Sequence, residues 1–393
     1  MWIIKVFRRL FGPLIGITFA LTIFLTSLFG NYIVTLTLPF VTILHRHREW
    51  REIMDRVINF WMIVPMFFLR FVFGVKMRIS GDYIYPEEPG IIIMNHRTRL
   101  DWLYFKLIIW RINPWLMTSY KIALKDLLRY VPGSGFGMQS LSYIFLKRDV
   151  KVDFPRISRT VDYYADMKRP YQILIFPEGT DKTAFTTRRS NEYAKKNNLP
   201  ELQQLLYPRI AGFVHLVNKM KKNKYLTYIY DVTIAYPKNI VQSEVDLILK
   251  GQCSSVIHCH IKRIPISELP EGDEELGNWL LETWREKDET LIQFYNQRNK
   301  SKRKLDAAGG SRNLWVKDSN KQIFVLVFGF FFWIFVICTW VWHMTWMGAV
   351  RCSLLFLFLN YLYIYTRYGG LDTLLLDRWE IWRKRVSLHS HIV

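Results

Sequence analysis

Residues 90–102 read GIIIMNHRTRLDW. Ile91, Ile92, Ile93 and Met94 form an uninterrupted apolar burst, the pattern of a strand buried on both faces of a sheet. The burst runs straight into Asn95, His96, Arg97, Arg99 and Asp101, after which LDWLYFKLIIW reads as a helix. An ordinary turn asks for Gly, Pro, Asn or Asp. It has no need of a histidine with a carboxylate five residues on. Five residues is about 500° of helical rotation, so His96 and Asp101 cannot share one face of a helix. They can meet only if His96 precedes the helix and Asp101 lies in its first turns.

The same pattern recurs downstream. Residues 172–180, QILIFPEGT, are an apolar run ended by Pro177, Glu178, Gly179 and Thr180. Residues 143–149, YIFLKRD, end a strand-like run with Lys147 and Arg148. Arginine suits bidentate capture of phosphate oxygens. Further apolar runs at 227–235 and 256–261 alternate with helix-like segments. The expected fold is therefore α/β, a mostly parallel or mixed sheet flanked by helices. In open sheets of this kind, ligands bind beyond the C-terminal ends of strands, so the residues ending these runs converge on one pocket. Residues 273–298 predict an amphipathic helix, with Leu276, Leu280, Trp284, Leu291 and Tyr295 near helical spacing.

Together, NHRTRLD, FLKR and FPEGT, in this order, resemble the glycerolipid (1-acylglycerol-phosphate) acyltransferase superfamily. The fuller wording NHRTRLDW, FPEGTD, RRSN, YPRIAGF and VTIAYP looks like its lysocardiolipin and lysophosphatidylinositol acyltransferase branch. The resemblance implies transfer of a fatty acyl group from acyl-CoA to a free hydroxyl of a lysophospholipid. Acyl-CoA would be a co-substrate, with no cofactor and no metal. His96 would be the general base, and Asp101 would hold its tautomer and stabilise the imidazolium. Backbone N–H groups around the 95–99 turn are candidates for the oxyanion site. By the same resemblance Asn95, Glu178, Gly179, Thr180, Arg189 and Arg209 belong to the substrate site, and Arg148 contacts the acceptor phosphate. One departure matters. Many lysophosphatidic acid acyltransferases follow EGT with arginine, whereas this chain has Asp181. That favours a phosphodiester headgroup (inositol, glycerol or cardiolipin) over a phosphate monoester.

Plainer readings stand beside these. A lone histidine at a strand end is ordinarily a hydrogen-bonded structural residue. A carboxylate at a helix start is favoured by the helix dipole alone. His258 and His260 share a strand face with Cys259 between them, but the spacing matches no standard structural zinc pattern.

The 393-residue chain carries 54 Lys plus Arg against 33 Asp plus Glu, a formal charge of +21. Such a balance fits an anionic lipid surface or polyanionic substrates. Nucleic acid is disfavoured, since no recognition motif accompanies the charge. The four cysteines form no disulfide framework; Cys253 and Cys259 are read as lying within one strand-like stretch. From Phe11 to Leu44 there is no charged side chain, and from Gln322 to Thr366 only Arg351 carries a full charge. Runs of this length are long enough to cross a bilayer. The first reads either as one tilted span or as a hairpin turning near Gly30 and Asn31.

The expected organisation is an N-terminal membrane segment with interfacial helices (1–74) and a catalytic domain (75–270), then an amphipathic helix with a basic linker (271–321). Two transmembrane helices (322–366), turning near Met347 and Gly348, and a basic tail (367–393) complete it. Basic residues flank the C-terminal pair on both sides, which puts the catalytic domain in the cytosol of a multi-pass protein. Residence in the endoplasmic reticulum is implied by the family resemblance.

Overall fold

The computed structural model describes residues 2–305, 318–346 and 349–390. Residues 306–317 of the expected basic linker, and the turn at Met347 and Gly348, lie outside the described residues. Seven strands are present among them: β1 (Lys76–Gly81), β2 (Gly90–Met94), β3 (Tyr120–Lys125), β4 (Ile144–Leu146), β5 (Gln172–Ile175), β6 (Tyr228–Ala235) and β7 (Val256–Pro265). The chain divides into two compact units, each assembled from separated stretches. The first comprises Met1–Ala20, Met66–Tyr120 and Pro170–Gln322; the second comprises Leu21–Pro65, Lys121–Arg169 and Ile323–Val393. Residues 121–169, expected within a continuous catalytic domain, thus fall in the second unit.

In the first unit β1 pairs parallel with β7, β7 antiparallel with β6, β6 parallel with β2, and β2 parallel with β5. The sheet is mixed. All five residues of β2 are buried, as its unbroken apolar run requires of a strand covered on both faces. The register sets Ile93 beside Ile175 and Met94 beside Val232. The chain therefore leaves β2, β5 and β6 on the same edge of the sheet. The residues next in line there are Asn95 and His96, Phe176 to Glu178, and Tyr236.

Two helices reinforce that edge. Asp101–Ile112 follows β2 after a short turn. Asp273–Asn296 starts on Asp273, Glu274 and Glu275, which complement the positive end of the helix dipole. It buries Leu276, Leu280, Trp284, Leu291 and Phe294, and its Trp279 ring stacks on Phe213 of the Ile210–Lys222 helix at 5.9 Å.

In the second unit β3 and β4 pair in parallel. Beyond β4, the Asp153 carboxylate accepts the Lys147 and Arg148 backbone N–H groups at 2.8 Å each, and Arg148 sits at φ +68°. Strands β1 and β3 were not apparent in the sequence, because KMRISG and YKIALK interleave charges with apolar residues. Cys253, read as part of a strand, lies in irregular chain just before β7.

The N-terminal helix runs unbroken from Trp2 to Thr37, so there is no turn at Gly30 and Asn31. Two stretches are long and apolar enough to cross a bilayer among the described residues: Phe11–Thr42 and the helix Asn320–Trp346. The second displays Phe324, Phe328, Phe331, Phe335 and Trp342 outward, as a lipid-facing surface would. Val350–Tyr368, expected as a further span, is a 19-residue helix that falls short of that apolarity, carrying Arg351, Asn360 and several tyrosines. Residues 63–72, expected to lie at an interface, form helical turns that bury Ile63, Val64, Met66, Phe68 and Leu69 in protein.

Candidate active site

His96 and Asp101 meet. His96 Nδ1 lies 3.1 Å from Asp101 Oδ2, with the carboxylate fully buried and the histidine side chain 14% exposed. The turn between them brings this about. The Thr98 backbone N–H donates to Asp101 Oδ2 at 2.9 Å and its hydroxyl to Oδ1 at 2.7 Å, while the Leu100 N–H donates to Thr98 Oγ1 at 3.2 Å. Tyr236, at the end of β6, donates its hydroxyl to Asp101 Oδ1. The carboxylate accepts four donors in all, three fixed by the protein and the fourth on the imidazole. Burial and the Asp101 charge push the Tyr236 hydroxyl well above its usual range, so it remains a donor at any physiological pH.

The imidazole is fixed from two further directions. Its ring stacks on Phe176 with centroids 4.1 Å apart. Its backbone N–H donates to Glu178 Oε1 at 2.8 Å and its carbonyl accepts the Lys182 N–H at 2.9 Å. With Nδ1 committed to Asp101, Nε2 is left without a partner among the described residues. An imidazole so held can take a proton at one defined nitrogen.

Glu178 is buried, and its other oxygen accepts the Leu206 N–H at 3.0 Å. Burial pushes its carboxyl up from 4.5 to about 7, against the pull of the two amide bonds. The neighbouring amides of Gln203, Gln204 and Leu205 all donate to the buried carboxylate of Asp288, at 2.9, 2.7 and 2.8 Å. Two carboxylates thereby shape the loop that leads to Arg209. Arg209 N–H in turn donates to the Pro177 carbonyl at 2.8 Å. Gly179 has φ +71°, and a Cβ there would lie 3.0 Å from Arg209 Nε and 3.1 Å from its Cδ. Both conditions call for glycine.

The remaining expected site residues are distributed unevenly. Asn95 is buried and exchanges two hydrogen bonds with the Ile234 backbone, extending the β2–β6 pairing past Met94. Thr180 is half-buried, with its hydroxyl 3.5 Å from Asp181 Oδ1. Asp181 is buried, 3.7 Å from the Arg99 guanidinium. Arg189 is exposed on the Ala184–Lys196 helix, 5.9 Å from the Phe185 ring. Arg148 is exposed and belongs to the second unit, whereas the other site residues belong to the first.

Residues 76–237 match the family model described as Acyltransferase, and residues 247–322 match Acyltransferase C-terminus. The chain is 44% identical to lysophosphatidylinositol acyltransferase 10 of Caenorhabditis elegans, over 96% of this chain and 97% of that protein. The chain belongs to the glycerolipid acyltransferase superfamily. It is also 40% identical to lysocardiolipin acyltransferase 1 of Gallus gallus, over 71% of this chain and 73% of that one. Among solved structures it is similar to the 1-acyl-sn-glycerophosphate acyltransferase of Thermotoga maritima, with a TM-score of 0.39 and 13% identity over 68% of this chain and 96% of that one.

Thr98, Phe176 and Asp288 were missed in the sequence as site residues. Tyr236 sat inside the quoted VTIAYP without a role. A threonine three residues before Asp101 is a local signal for such a turn. Asp288 gives none, since it is one of several acids on a long helix.

Proposed function

We propose that the chain transfers a fatty acyl group from acyl-CoA to a free hydroxyl of a lysophospholipid with a phosphodiester headgroup. His96 Nε2 takes the proton of the acceptor hydroxyl as its oxygen attacks the thioester carbonyl carbon. The tetrahedral intermediate then expels the CoA sulfur, which receives that proton from the imidazolium. Asp101 balances the imidazolium charge, and a positioned base of this kind contributes roughly 10²–10⁴ in rate. No acyl-enzyme is required. The observation that carries the reading is the His96–Asp101 contact, with a carboxylate saturated by donors and Nε2 left open.

Three features bear on the substrate. Asp181, where many lysophosphatidic acid enzymes place arginine, is buried against Arg99 and offsets part of that cation's charge. That opposes a doubly charged phosphate monoester. Gly179, Thr180 and Arg209 gather near Glu178 and would form the acceptor site with Arg189. Glu178 and Asn95 act from behind, by fixing backbone. The two relatives compared carry lysophosphatidylinositol and lysocardiolipin in their names, which supports an anionic diester acceptor. The apolar stretches support a multi-pass membrane protein, the basic residues flanking the C-terminal pair support a cytosolic catalytic domain, and the family resemblance supports residence in the endoplasmic reticulum.

The test supplies microsomes containing the chain with labelled oleoyl-CoA and a mixture of acceptors. These are lysophosphatidylinositol, lysophosphatidylglycerol, monolysocardiolipin and lysophosphatidic acid. Label entering one diester product supports the reading. Label entering chiefly phosphatidic acid would overturn the argument from Asp181.

A further inference from the structure

Gln242 lies in the chain after β6, next to Ser243, which caps the Glu244–Lys250 helix. No motif singles it out. Its Nε2 lies 3.1 Å from the Arg97 carbonyl, 3.2 Å from Asp181 Oδ2 and 3.1 Å from the Lys182 carbonyl. Its own backbone carbonyl accepts the Arg99 N–H at 3.0 Å. One residue therefore grips the turn after β2 twice and the segment after β5 twice. The Lys182 N–H to His96 carbonyl bond, 2.9 Å, closes the same junction.

The backbone donors of that turn can be followed one by one. His96 donates to Glu178, Thr98 to Asp101, Arg99 to Gln242, Leu100 to the Thr98 hydroxyl and Asp101 to the Thr98 carbonyl. The Arg97 N–H alone among them has no acceptor among the described residues. It is adjacent in sequence to the base; its own peptide is held through the His96 carbonyl by the Lys182 N–H, and the next two peptides along the turn are held by Gln242, at the Arg97 carbonyl and the Arg99 N–H.

We propose that Gln242 is a positioning residue for acyl transfer: it locks the 96–101 turn onto residues 181 and 182, and so keeps the Arg97 N–H set for the oxyanion of the tetrahedral intermediate. Without its amide, the Arg97 and Lys182 carbonyls and the Asp181 carboxylate would lose a shared donor and repel one another. The turn would then relax. A shift of about 1 Å at a reacting centre can cost 10²-fold in rate, and loss of an oxyanion donor costs a similar factor. An interaction made only in the transition state changes kcat and leaves KM in place.

The inference rests on the acyl-transfer reading above, and one experiment separates their failures. Wild type, His96→Ala, Gln242→Met and Gln242→Glu are purified in detergent micelles and assayed with saturating and limiting lysolipid and acyl-CoA, with melting temperature and pH profile measured on each. Gln242→Met, similar in length and unable to donate, is expected to lower kcat roughly tenfold to hundredfold. Both KM values should hold within about twofold, with the pH profile unmoved because His96 and Asp101 are untouched. Gln242→Glu, which sets a carboxylate against Asp181, is expected to fall further. A folded Gln242→Met enzyme with wild-type kcat, or one with raised KM and unchanged kcat, overturns the inference. So does unfolding of both Gln242 variants, which would make the residue part of the scaffold only. Wild type without any transfer overturns the acyltransferase reading and this inference with it. Activity abolished in His96→Ala but intact in Gln242→Met overturns this inference alone.

Discussion

Tyr236 donates its hydroxyl to the buried carboxylate of Asp101, although 135 residues separate them in sequence. The bond ties the end of β6 to the first residue of the helix that follows β2. It leaves the Asp101 carboxylate one lone-pair direction toward His96. A hydrogen bond to a charged group of this kind is worth about 1.5–3 kcal/mol.

Tyr236→Phe removes that donor with little change in shape. The expected result is a fall in kcat of roughly tenfold, since about 1.4 kcal/mol of lost transition-state stabilisation gives that factor. KM for both substrates should be retained. Steady-state kinetics check it.

Glu178 supplies a pH dependence of stability. Its carboxyl stands near 7 in the folded protein because of burial, against an ordinary 4.5. The folded state therefore holds this proton after the unfolded state has released it. Stability from this group is fully present below about pH 4.5 and is lost as pH rises to about 7, beyond which it is flat. Glu178→Gln should remove that slope from denaturation curves measured across the window. It should also lower activity at every pH, because an amide nitrogen would face either the His96 or the Leu206 backbone N–H.

Gly179→Ala would place a Cβ 3.0 Å from Arg209 Nε in a left-handed backbone. The backbone alone costs roughly 1–2 kcal/mol. The displaced guanidinium should raise KM for the lysolipid several-fold while KM for acyl-CoA stays near its wild-type value. A two-substrate kinetic matrix separates these effects.

Asp288→Asn should act on the same loop from behind. One of the three amides it accepts would meet a donor instead of an acceptor. The prediction is again a rise in lysolipid KM, with a loss of stability of about 1–3 kcal/mol for the unsatisfied buried group. Denaturant unfolding alongside the kinetic assay measures both.

Which of these residues were legible in sequence follows from the range of the signal. The His96–Asp101 pair, the strands β2 and β5 and the turn chemistry at Gly179 are local patterns, and each could be read from a dozen residues. Strands β1 and β3 could not, because charged residues break the apolar run by which a buried strand is known. The partners of the site were hidden for another reason. Tyr236, Asp288 and Gln242 act through single contacts with residues far away in the chain, and no periodicity encodes such a contact. Glu178 was legible as a site residue, but not as one whose oxygens are both spent on backbone amides.

The central claim is that His96 carries acyl transfer from acyl-CoA to a lysophospholipid, and one comparison tests it most directly. Microsomes with equal amounts of wild-type and His96→Ala protein, matched in melting behaviour, are given labelled oleoyl-CoA and lysophosphatidylinositol or monolysocardiolipin. The account predicts label in the diacylated or fully acylated product with wild type, and a loss of at least about 10²-fold in the variant. Equal labelling by the two proteins would contradict it.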